Sequence, residues 1–168
     1  MITLFKILFL NALLLVSIFL FSGICLSLGI DPSCEHTPTS FNCVTYLYNY
    51  DGDTFKVDIP NIHPFFGKGM SIRVSGIDTA ELQSKNACER KLALLARQRT
   101  QEILSKAKRI DLTDISPDKY FRVDATVIVD TTINLGYTLL KENLAYLYAG
   151  GTKPKIDWCG IVSSLAKK

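Results

Sequence analysis

Histidine is nearly missing from this 168-residue chain; there are two, His36 and His63, and neither has a partner at catalytic spacing. Chemistry that depends on a paired imidazole is therefore not expected, and neither histidine is assigned a role. A Cys-x-x-Cys pair is also lacking, and His36 is the one histidine near a cysteine, which argues against a zinc site. No internal repeat or low-complexity run is present. A strong excess of one charge is missing too. Without residues 1–29, which carry Lys6 and no acid, the formal net charge falls from +3 to +2. A balance so mild is compatible with a nucleic-acid partner but does not argue for one. What remains is enough apolar sequence for one compact core and one domain with an appendage.

The appendage is at the start. Lys6 precedes an apolar run from Ile7 to Phe21 that only Asn11 and Ser17 interrupt, and small residues follow at Ser22-Gly23 and Ser27-Leu28-Gly29. A basic start, an apolar middle and a small-x-small end form the pattern of a secretory signal peptide, with cleavage expected after Gly29. The alternative is an uncleaved membrane tether through residues 7–28, since about 20 apolar residues span a bilayer. The reading is thus a leader or anchor at 1–29, a linker at 30–42, a folded domain at 43–160 and a tail at 161–168. The protein is expected to be secreted or periplasmic, or else held at the membrane, and monomeric.

Export sets the expectation for the cysteines. Cys25 goes with the leader, leaving Cys34, Cys43, Cys88 and Cys159. An even number in an exported chain suggests two disulfides, with three pairings open. The favoured one joins Cys34 to Cys43 and Cys88 to Cys159, pinning the tail to a helix.

Residues Cys43 to Tyr48 are β-branched and aromatic, a strand. Asp51-Gly52-Asp53 reads as a turn in which glycine supplies a positive φ. Phe55, Val57 and Ile59 alternate with Lys56 and Asp58, and Met70, Ile72 and Val74 alternate with Ser71 and Arg73, so two more half-buried strands flank a loop at 60–69. Helical spacing begins at Asn86 and puts Cys88, Leu92, Leu95, Ala96 and Ile103 on one face. Strands follow at Arg109 to Ile115 and Val123 to Asp130, then a helix at Leu135 to Glu142 that Asn143 would end in the left-handed conformation. One further helical turn is expected near Ile161. Three strands, a helix, two strands and a helix suit a five-stranded OB-fold barrel with about three helices, an α+β arrangement.

Carboxylates stand where strands end. Asp53 follows the glycine turn, and Asp78 and Glu81 follow the third strand. Oxygen ligands at such places suit a hard cation. Taken singly, each of these acids is more readily a turn cap or a solvated loop residue. Arg73 lies within the third strand and Arg122 opens the fifth; a guanidinium presents a planar fork that grips phosphate, or else satisfies an ion pair.

The combination carries more weight than its parts. Asp51-Gly-Asp53-Thr, Arg73 with Asp78-Thr79-Ala-Glu81 five residues on, and Asp118-Lys119-Tyr120-Phe-Arg122, in that order, resemble the staphylococcal nuclease family. The resemblance runs from about Tyr48 to Cys159. It implies a Ca²⁺ cofactor held by Asp53, Asp78 and the carbonyl of Thr79. It further implies phosphate binding by Arg73 and Arg122, Glu81 as general base, and Tyr120 near the nucleotide phosphate. Asn143-Leu-Ala, Tyr148-x-Gly-Gly and Trp158-Cys are similar to landmarks of exported bacterial members. The implied activity is that of a hydrolase cutting DNA and RNA at the bond to the 5′ oxygen with little base specificity, single-stranded or denatured polymer being favoured. This sequence departs from the family at Ala80, where proline is usual, and at Phe121 and Asn143, where glycine is.

Around that site, Tyr120, Tyr146 and Tyr148 are candidates to stack bases. Tyr146 or Tyr148 could instead pack the helix end on the barrel, and Lys119 would touch backbone phosphate or solvent. The rival reading is an OB module that binds single strands without cutting them; such a module needs none of Asp53, Asp78, Glu81 and the two arginines.

Overall fold

Burial of alternate side chains along the strands organises the domain. In the computed structural model, which describes residues 31–167, these form β1 (Ser40–Phe41), β2 (Thr45–Asn49), β3 (Thr54–Asp58), the short helix α1 (Pro64–Gly67), β4 (Met70–Val74), β5 (Ile77–Thr79), helix α2 (Ala87–Lys106), β6 (Ile110–Pro117), β7 (Val123–Val129), β8 (Ile133–Asn134), α3 (Leu135–Lys141), β9 (Ala145–Leu147) and α4 (Trp158–Leu165). The leader, its cleavage point, the alternative tether at 7–28 and Cys25 lie outside the described residues. Phe55 and Val57 of β3, Ile72 and Val74 of β4, and Ala125, Val127 and Val129 of β7 point into one core. Each larger side chain buried there contributes about 1.5–3 kcal/mol relative to exposure.

The sheet runs β1-β6-β7-β4-β3-β2, with β8 added on β7, and a separate two-stranded ladder joins β5 to β9. β4 and β7 pair in parallel; the other pairs are antiparallel. The arrangement is OB-like, an α+β sheet core with four helices among the described residues, where about three helices were expected. The sheet curls so that Val44, just before β2, donates its N–H to the Ile110 carbonyl at 2.9 Å and Cys43 donates its N–H to the Asp111 carboxylate at 2.8 Å.

Helix α2 begins where the spacing predicts. The Asn86 side chain accepts from the N–H groups of Cys88 and Glu89, satisfying two donors the first turn leaves open. Its buried face is Leu92, Ala93, Ala96, Thr100 and Leu104; Leu95, expected inside, is exposed, and Ile103 is partly covered. Small residues at 93 and 96 let the helix lie close to the sheet. Helix α3 is stopped just beyond its end by Asn143, whose φ of +58° is the left-handed conformation, with its N–H on the Leu140 carbonyl and that of Leu144 on Leu139.

Three segments differ from expectation. The loop at 60–69 contains α1, which His63 caps through its ring nitrogen. The stretch read as a linker at 30–42 carries a 3-10 turn at Pro32–Cys34 and the strand β1, whose Phe41 packs against the core. The segment at 161–168, read as a tail, continues α4 to Leu165 and lays Ile161, Val162 and Leu165 on the core. Both disulfides take the favoured pairing: Cys34–Cys43, and Cys88–Cys159, which ties the first turn of α2 to that of α4.

Candidate functional site

The site begins at the turn between β2 and β3. The Asp51 carboxylate accepts from the N–H groups of Asp53 at 3.1 Å and Thr54 at 2.8 Å, which closes the turn. Gly52 is not needed there for a positive φ, as the sequence had suggested. It is needed for space: a Cβ on it would stand 2.7 Å from Ala96 Cβ and 2.8 Å from the Thr79 side chain. Its carbonyl accepts from the buried Thr100 hydroxyl at 2.6 Å, so the turn is fastened to α2.

That turn delivers Asp53 into the interior, 3% exposed. One carboxylate oxygen accepts from the Thr54 hydroxyl at 2.9 Å; the other accepts from Arg73 at 3.1 Å and from the Thr79 N–H at 3.2 Å. Burial, then the neighbouring charge of Asp51, pushes its pKa up to about 7, against the pull of Arg73.

Arg73 reaches it from β4, beside Thr54 in the β3–β4 register. Its other nitrogen donates to the Ile77 carbonyl at 2.9 Å and to Asp78 Oδ1 at 3.0 Å. One guanidinium therefore ties two carboxylates together, and of its five N–H donors it keeps some for a ligand. Gly76, at φ +75°, turns the chain from β4 into β5 and so places Asp78 and Thr79. Asp78 is 5% exposed, and its Oδ2 accepts from the Tyr146 hydroxyl and from Lys153 Nζ, the latter at 2.8 Å. Burial raises its pKa, but the bonds from Lys153, Tyr146 and Arg73 outweigh burial and hold it below the usual carboxylate range. Glu81 stands out in water with its side chain 61% exposed, and it too pairs with Lys153 Nζ at 2.8 Å.

Arg122 enters from the other side, at the foot of β7. It is held by Asp118 Oδ2, at 2.6 Å from Nε, and its Nη1 lies 3.5 Å from the Thr54 hydroxyl that also serves Asp53. The Asp118 N–H on the Arg122 carbonyl at 2.9 Å closes the intervening turn. On that turn, Lys119 Nζ and the Arg122 guanidinium lie 4.9 and 5.3 Å from the centre of the exposed Tyr120 ring.

These groups face a single cleft of about 880 Å³. It is lined by Asp53, Arg73, Asp78, Thr79, Glu81, Lys119, Tyr120, Arg122 and Tyr148, all singled out from the sequence. Tyr146 does not line it: its ring packs on Trp158 at 6.0 Å and on Tyr148 at 6.4 Å, and its hydroxyl alone reaches the site. Sequence reasoning missed Lys153, Thr54 and Asp118 as members. Asp118 was readable, four residues before Arg122 in the same motif; Lys153, in a loop after two glycines, has no local signal. His36 bridges the Pro60 carbonyl and the Asn42 N–H, away from the cleft.

Among the described residues, no three His, Cys, Asp or Glu side chains converge as a metal cluster. Asp53 and Asp78 are nonetheless two buried carboxylates on one cleft, and carboxylate oxygen is a hard ligand. That chemistry fits a small divalent cation better than a soft one.

A comparison with curated proteins found no match. Compared with protein-family models, residues 71–158, just over half of the chain, match the family described as Staphylococcal nuclease homologue. That match and the OB-like sheet agree, and the chain belongs to the staphylococcal nuclease homologue family.

Proposed function

We propose that the chain is a calcium-dependent phosphodiesterase that hydrolyses DNA and RNA with little sequence preference, single-stranded or denatured polymer being favoured. The observation that carries this reading is the convergence of two arginines, two buried carboxylates and one exposed carboxylate on one cleft. Asp53, Asp78 and the Thr79 carbonyl would hold the calcium, which when bound supplies Lewis-acid polarisation of a phosphoryl oxygen.

The chain's own groups do the rest. Attack on phosphorus builds negative charge on the phosphoryl oxygens. Arg73 and Arg122, each anchored by an acid, keep N–H donors for those oxygens and hold them more tightly as the charge grows. Their anchors cost mobility in advance, so little reorganisation is needed during reaction. Glu81, in water at the cleft edge, orients the attacking water and takes its proton, while the bond from phosphorus to the 5′ oxygen breaks and that oxygen leaves, gaining a proton from solvent. Exposed Tyr120 and half-buried Tyr148 at the rim offer faces to bases that are not already paired and stacked. Two disulfides suit an oxidising compartment, consistent with export by the leader.

The test incubates the purified chain with heat-denatured DNA and with RNA, in calcium and in chelator. Calcium-dependent loss of both polymers is expected. Glu81→Ala and Arg122→Ala should each lower turnover by about 10²–10³-fold, the usual consequence of losing one such group, while the thermal transition stays cooperative. Near-normal cleavage by Arg122→Ala would remove that residue from the site. DNA bound but uncut by the parent chain would leave a binding module instead.

A further inference from the structure

The ammonium of Lys153 lies 2.8 Å from Asp78 Oδ2 and 2.8 Å from Glu81 Oε1. It therefore stands between a carboxylate suited to a metal and one suited to a water molecule. We propose that Lys153 is a tethered counter-ion, occupying the cation position beside Asp78 and Glu81 until calcium displaces it. The proposal rests on the calcium reading of this cleft.

Three features support it. The first is charge balance. Asp51, Asp53, Asp78, Glu81 and Asp124 line the cleft with Arg73 and Lys153, while Arg122 is paired with Asp118. Removing Lys153 would leave those five acids with Arg73. The second is repulsion: a divalent ion on Asp78 Oδ2 and an ammonium at hydrogen-bond distance from the same oxygen would repel at close range, so each weakens the hold of the other. The third is the tether. Gly150 and Gly151 have φ of +95° and +88°, and nothing lies within 4 Å of where a side chain would stand on either. Tyr148 fastens the Gly151 carbonyl at 2.8 Å, so the loop base is pinned while the stretch that follows has no strand or helix until α4. The lysine side chain is 46% exposed, so its flexible stem can withdraw the ammonium into water with the fold intact.

A permanent structural bridge would behave differently. As a tethered counter-ion, Lys153 weakens calcium binding, because the metal must first evict it; as a bridge, it supports the ligands, and its loss weakens binding. The test is calorimetric titration of CaCl₂ into the parent chain, Lys153→Met and Lys153→Arg, with thermal melts in calcium and in chelator. Lys153→Met should bind calcium about tenfold more tightly, and its Tm should rise more on adding calcium than the parent's does. Lys153→Arg, which keeps the charge, should stay within about threefold of the parent. Equal or weaker calcium binding by Lys153→Met, with calcium still bound by the parent, overturns the proposal alone. Calcium bound by none of the three overturns the calcium reading and this proposal together.

Discussion

Tyr146 donates its hydroxyl to Asp78, the residue directly opposite it in the β5–β9 ladder. Backbone register and side-chain bond thus aim the same carboxylate. The Tyr146 ring, packed on Trp158, fixes where the hydroxyl can be. Tyr146→Phe keeps the ring and removes the bond. It should weaken calcium binding by about tenfold, at the lower edge of what loss of a ligand's outer partner does to metal affinity. The melting curve of the metal-free variant should stay cooperative. Titration calorimetry measures the affinity and a thermal melt in chelator the cooperativity, and unchanged affinity would reduce Tyr146 to packing.

Asp53 gives the metal-free protein a pH signature. Its pKa is raised by burial to about 7, whereas the unfolded chain has an ordinary aspartate near 3.8. Between those values the folded state binds the extra proton, so this group's contribution to stability falls as pH rises from about 4 to about 7. Asp53→Asn cannot ionise and should escape that fall. The stability of the Asp53→Asn variant relative to the parent should therefore improve by roughly 1–3 kcal/mol between pH 4 and pH 8, as measured by denaturant unfolding in chelator. Parallel pH curves for the two proteins would show that Asp53 ionises normally.

The two disulfides should differ in worth. Cys88–Cys159 closes a separation of 71 residues and Cys34–Cys43 one of 9. Cross-linking a longer loop removes more freedom from the unfolded chain, so the double serine variant at 88 and 159 should lose about 4 kcal/mol and that at 34 and 43 about 2.5 kcal/mol. Urea unfolding of the two variants tests the order, and a larger loss at 34 and 43 would mean that β1 and its 3-10 turn depend on their bridge for docking.

Phe121 is fully exposed and has φ of +57°. A left-handed residue other than glycine costs about 1–2 kcal/mol, and this side chain recovers none of it by burial. Phe121→Gly should stabilise the domain by about 0.5 kcal/mol, once the greater freedom of glycine in the unfolded chain is subtracted. Thermal melts measure it. A drop in Tm would show that the ring packs on the turn in solution.

Local sequence determined the elements of this protein and nominated its chemistry. Alternation of Phe55 and Val57, and of Ile72 and Val74, is enough to specify strands, because a pleated backbone sends neighbouring side chains to opposite faces. The Asn86 cap and the left-handed Asn143 bound their helices through groups only a few residues away. The acids and arginines were legible because each motif is contiguous in the chain. Tertiary structure decided what those groups meet. Gly52 is required by the approach of Ala96, 44 positions away in the chain. The leftover polar partners of Asp78, Tyr146 and Lys153, arrive on β9 and on the loop beyond it, and no periodicity announces a partner so distant in sequence. Burial, which raises the Asp53 pKa, belongs to the packed domain as a whole, since desolvation depends on every element that excludes water from the site.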